Sequence, residues 1–112
     1  MNNSELQAMA AVRSTTRLTA HDIAAHVRHL GAPWHIVDAN LTYDAKPSSM
    51  RDSAALVTQA ADIAERLNHH PDLTVGYQRL RITITSHDSG GLTATDFAFA
   101  AQLELWRRAQ AQ

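Results

Sequence analysis

Cysteine is absent from the 112-residue chain, which excludes disulfides, thiolate metal centres and thiol nucleophiles together. That absence fits a reducing compartment. An excess of charge of either sign is also missing: Lys plus Arg number 10 against 11 for Asp plus Glu, a formal net charge of −1. With no long block of like charges, nothing offers a nucleic-acid surface. No apolar run approaches the roughly 18 residues that a membrane span requires, and the opening "MNNSELQAMAAVRSTTR" has no apolar signal region. A cytoplasmic protein without membrane contact is expected. The length suits one compact domain and is too short for two.

What the chain has in abundance is histidine, seven residues in all, the side chain whose charge changes near neutral pH. Two of them are adjacent in "ERLNHHPD", Glu65 to Asp72.

The first residues are polar, small and weakly periodic, so 1–17 reads as a flexible tail, frayed or loosely helical, and 18–112 as the domain. In "LTAHDIAAHVRHLGAPW", Thr19 and Asp22 resemble a capping box, Ile23, Val27 and Leu30 have helical spacing, and Gly31 with Pro33 stops the helix. "WHIVDANLTY" reads as a hairpin turning at Asp38-Ala39-Asn40. From Ser53, the spacing of Leu56, Ala60, Ile63, Ala64 and Leu67 predicts a second helix to about Asn68, where Pro71 biases His70 away from helical geometry. Val75 and Tyr77 share one parity and Leu80, Ile82 and Ile84 the other, which predicts two strand segments with a turn or bulge at Gln78-Arg79. "LRITITSH" is the best strand, running to His87. After Gly90-Gly91, Thr93 caps a last helix with Phe97, Ala100, Ala101 and Leu103 on its apolar stripe. This order predicts an α+β fold, an antiparallel sheet with three helices packed on one face (α-β-β-α-β-β-α).

Glu65 and His69 stand at i and i+4 on the second helix, stacked on one face, with His70 about a quarter turn away. If that helix crosses the long strand, His87 converges on the pair. Three readings stay open on these residues alone. Metal ligation is one, although adjacent histidines on a regular helix do not share an ion easily. A structural role is another: His⁺ suits a helix C-terminus, and Thr93 to Asp96 matches a capping pattern whatever else Asp96 does. Proton transfer by several imidazoles is the third. His21, His26, His29 and His35 read as surface residues.

The combination of Glu65, His69-His70-Pro71, Tyr77, His87 and Asp96, together with "TSHDSGGLTATDFAFA", resembles the pterin-4a-carbinolamine dehydratases. The likeness is strongest from about Leu56 to Leu103. It implies a four-stranded antiparallel sheet with three helices, forming a homodimer or homotetramer. It further implies a catalytic set of His69, His70 and His87, supported by Glu65 and Asp96, with His70, Leu73 and Ser86 on the substrate. The reaction implied is dehydration of 4a-hydroxytetrahydrobiopterin to quinonoid dihydropterin, without metal or bound cofactor. That reaction would recycle the tetrahydropterin used by an aromatic amino-acid hydroxylase. Animal members also serve as dimerisation partners of a homeodomain transcription factor, so a binding module on the same fold is the alternative. Leu73 departs from the family, which usually has an aromatic residue bordering the pterin there.

Overall fold

The structure is a computed structural model that describes residues 3–111. It contains α1 (Ser4–Ala11), α2 (Ala20–Leu30), β1 (Trp34–Val37), β2 (Asn40–Ala45), α3 (Met50–Leu67), β3 (Asp72–Gly76), β4 (Arg79–Ile84), a 3₁₀ turn (His87–Ser89) and α4 (Ala94–Gln110). The strands form one antiparallel sheet in the order β1-β2-β4-β3. The α+β class and the four-stranded sheet are as expected, but among the described residues the α-helices number four, where three were expected.

The additional helix lies within the segment expected as a tail. Its Leu6 and Met9 are buried, and Gln102 of α4 donates its amide N–H to the Ala10 carbonyl at 3.0 Å. Only two apolar anchors in a polar, alanine-rich stretch carry this packing, so the helix leaves little periodicity in the sequence.

Elsewhere local chemistry sets the element ends. Asp22 N–H donates to Thr19 Oγ1 at 3.1 Å at the start of α2. In the β1–β2 hairpin the turn residues Asp38 and Ala39 both have positive φ, 51° and 65°, as a primed two-residue turn requires. α3 begins at Met50 and not at Ser53, because Ser49 accepts the Asp52 N–H and serves as the N-cap. β4 ends at Ile84, three residues short of His87, which instead opens the 3₁₀ turn.

Cross-strand register puts Trp34, Tyr43, Ile82 and Leu73 in one row on one sheet face. Trp34, Tyr43 and Ile82 join Ile63 of α3 and Phe97, Phe99 and Leu103 of α4 in the core, while His35, Asp44 and Arg81 line the opposite face. Buried Glu104 ties β1 to α4 by accepting from Trp34 Nε1 at 3.0 Å, and Arg107 and Arg108 pair with the same carboxylate. A buried carboxylate held by several donors in this way is compensated.

Candidate active site

The end of α3 explains how two adjacent histidines face different partners. Asn68 adopts the left-handed conformation, φ 50° and ψ 45°. The His69 N–H bonds to the Ala64 carbonyl at 3.0 Å and the Asn68 N–H to the Glu65 carbonyl at 3.3 Å. This is a Schellman closure, which satisfies free helix carbonyls and turns the chain sharply, and Asn is one of the few residues that accept its left-handed position cheaply. Pro71 follows at the place where a chain leaving a helix commonly has proline.

Because the helix ends there, the i and i+4 stacking of Glu65 on His69 does not form. Glu65 instead accepts from His70 Nε2 at 2.5 Å, out on the surface. His69 turns inward, and its Nε2 lies 2.5 Å from Oδ1 of fully buried Asp96. Asp96 also caps α4: its Oδ2 accepts the Thr93 N–H at 2.9 Å and the Ser86 hydroxyl at 2.8 Å. Asp96 thus contacts His69 through one oxygen and caps α4 through the other. Ser86 Oγ also lies 3.3 Å from His69 Nε2 and 3.0 Å from Thr93 Oγ1, so the end of β4, the end of α3 and the start of α4 are joined through one polar cluster.

His69, His70, Ser86 and His87 line one cavity of about 610 Å³. His70 and His87 also border a smaller neighbouring cavity that reaches Asn40 and Asp72. Among the described residues neither ring nitrogen of His87 has a hydrogen-bond partner. Nδ1 of His69 and Nδ1 of His70 are likewise unpaired, each ring being held through its Nε2. Leu73 lies on the edge strand β3, outside the lining of both cavities, with 37% of its surface exposed.

The sequence gives no hint of the opposite wall. Arg13, Ser14 and Thr15 line the larger cavity, held there by backbone contacts of the segment between α1 and α2. Ser14 N–H donates to Thr95 Oγ1 and the Thr95 hydroxyl donates back to the Ser14 carbonyl, each at 3.0 Å. Ser89 donates its hydroxyl to the Thr15 carbonyl at 2.7 Å, and Leu18 N–H bonds to the Leu92 carbonyl at 2.8 Å. A β-carbon on Gly91 would lie 3.1 Å from Arg17 Nε, so a glycine allows the segment to lie close over the loop.

Residues 16–106 match the family described as Pterin 4 alpha carbinolamine dehydratase. A protein of Solibacter usitatus described as "Putative pterin-4-alpha-carbinolamine dehydratase" is 39% identical over 90 residues, 80% of this chain and 94% of that protein. A relative of the same description from Chromobacterium violaceum is 40% identical over 76 residues, 67% of this chain and 70% of its own length. The crystal structure of a transcriptional coactivator/pterin dehydratase from Brucella melitensis superposes with a TM-score of 0.75 at 29% identity, covering 80% of this chain and 97% of that one. The chain belongs to the pterin-4a-carbinolamine dehydratase family. Among the described residues no helix is long and apolar enough to cross a membrane.

Proposed function

We propose that this chain dehydrates 4a-hydroxytetrahydrobiopterin to quinonoid dihydropterin and water by histidine general acid/base catalysis, and so recycles the cofactor of an aromatic amino-acid hydroxylase. The observation that carries this reading is the pairing, in one cavity, of an anchored imidazole with a free one: His69 on buried Asp96, and His87 with both nitrogens unpartnered.

The reaction balances with two such groups. A proton delivered to the 4a oxygen lets the C4a–O bond break with water as leaving group. The proton on N5 is removed, and its electron pair forms the C4a–N5 double bond. With Nε2–H given to Asp96, a neutral His69 offers the Nδ1 lone pair as base, while a protonated His87 supplies the acid; the opposite assignment balances equally well. The step itself calls for no metal. His70, held by Glu65, is the orienting residue, with Ser86 supporting the wall beside it.

The expected homodimer or homotetramer is supported by edge strand β3, where Val75 and nearby Tyr77 are 45% and 75% exposed along an unpaired strand edge. The same surface favours the alternative reading, a binding or dimerisation module of coactivator type; the Brucella melitensis protein is described as a transcriptional coactivator as well as a pterin dehydratase. Stopped-flow absorbance of a 4a-hydroxytetrahydropterin generated in situ separates the two. A dehydratase accelerates its loss above the spontaneous rate, whereas a folded protein that leaves the rate unchanged is a binding module only.

A further inference from the structure

We propose that Arg13 is a substrate-binding residue that recognises oxygen atoms on the C6 side chain of the pterin, an inference that rests on the dehydratase reading. Arg13, Ser14 and Thr15 stand N-terminal to the family match, which begins at residue 16, yet they line the same cavity as His69, His70 and His87. Their position is built and not incidental. The Ser14–Thr95 pair, the Ser89 bond to Thr15 and the Leu18 bond to Leu92 fasten this segment to the loop and helix that also carry His87 and Asp96.

Most polar groups of this wall are already used. The Ser14 hydroxyl accepts the Thr16 N–H at 3.0 Å, and both backbone groups of Ser14 are bonded to Thr95. Two side chains are not: among the described residues neither the Thr15 hydroxyl nor the Arg13 guanidinium has a hydrogen bond, and Arg13 has no ion pair either, although the Asp88 carboxylate lines the same cavity; of the two, Arg13 carries the charge. A planar fork of five N–H donors is suited to oxygen acceptors.

A pterin whose reacting C4a and N5 lie at His69 and His87 occupies only part of the cavity. Arg13 lines the same cavity, and with C4a and N5 held at the imidazoles the substituent on C6, the carbon bonded to N5, is the part of the substrate we take to reach it. Hydroxyl and phosphate oxygens on that substituent are the two sources of the chemistry Arg13 recognises.

Titration calorimetry with dihydropterin bearing only hydrogen at C6, dihydrobiopterin and dihydroneopterin phosphate tests the inference. The wild type is expected to bind at least one side-chain-bearing probe about tenfold more tightly than the bare ring, as one charge-assisted hydrogen bond allows. In Arg13→Ala that affinity ratio is expected to fall to about one, and Arg13→Lys, which keeps the charge, should recover part of it. A gain for the phosphate alone means that Arg13 reads charge; a gain for dihydrobiopterin too means that hydroxyls suffice. A ratio unchanged in Arg13→Ala overturns the inference and leaves the dehydratase reading intact, whereas no binding of any probe by the wild type removes both.

Discussion

Asp96 gives one carboxylate oxygen to His69 and the other to Ser86 and the Thr93 amide, so a single residue fixes an imidazole and starts the helix beside it. Asp96→Asn is expected to lower kcat by at least about tenfold, because the amide no longer accepts on both sides and the tautomer of His69 is freed. Stability should fall by about 1 kcal/mol through the weakened cap. Denaturant melts and steady-state rates measured together check this: loss of stability with kcat intact would reduce Asp96 to a cap. His26, expected at the surface, is half-buried, with its ring edge-on to Phe97 at 4.9 Å between centroids. Desolvation holds its pKa below the usual 6.5, opposed by Asp22 and assisted by His29. A depressed pKa means that the unfolded chain binds the proton more readily. The contribution of His26 to stability is therefore present above pH 6.5 and lost as pH falls through its folded pKa. His26→Gln should flatten that acid-side decline in a series of melts; an unchanged decline would assign it to other groups. At this scale the two adjacent histidines at a helix exit and the capping position of Asp96 were legible in residue type and order, whereas Ser86 entered only through the family resemblance, because a lone serine past a strand end carries no pattern of its own. The partner of Glu65 was not legible, because helical spacing assumes a helix that continues, and α3 has closed before His69.

The termination of α3 is the element on which the site turns. Asn68 occupies a left-handed position that costs a β-branched residue roughly 1–2 kcal/mol, and the two histidines leave the helix from that point. Asn68→Gly should retain both fold and rate, whereas Asn68→Val should lose about 1–2 kcal/mol of stability and lower kcat in proportion to the displacement of His69 from Asp96. Equal rates in the folded fraction of both variants would show that the closure does not align the site. This ending was readable from Asn-His-His-Pro, since proline and a left-handed-tolerant residue both mark it. α1 and the 13–18 segment were not readable. Two buried side chains and a set of mostly backbone hydrogen bonds produce no periodic pattern, so a wall of the cavity was hidden in what looked like a tail.

For the whole molecule, the sheet forms a base on which the end of α3, the segment after β4 and the start of α4 bring His69, Ser86, His87 and Asp96 together, and α1 packs against α4. Leu6→Ala is expected to cost about 2–5 kcal/mol, as for other fully buried leucines; a cost below about 0.5 kcal/mol, typical of a surface change, would mean that α1 contributes nothing to the core. The antiparallel sheet and the apolar face of its hairpins followed from alternation in the sequence, whereas the strand order β1-β2-β4-β3 and the convergence of three distant elements on one cavity depend on packing that no local pattern records.

The pH dependence of kcat/KM for wild type, His69→Ala and His87→Ala, followed by stopped-flow loss of the 4a-hydroxytetrahydropterin, tests the two-imidazole account most directly. The account predicts a bell-shaped wild-type profile. Each variant should lose a different limb of it, together with about a hundredfold or more of its maximum rate. A profile of the same shape in all three proteins, or a well-folded His69→Ala, His87→Ala double variant that retains the wild-type rate, would contradict it.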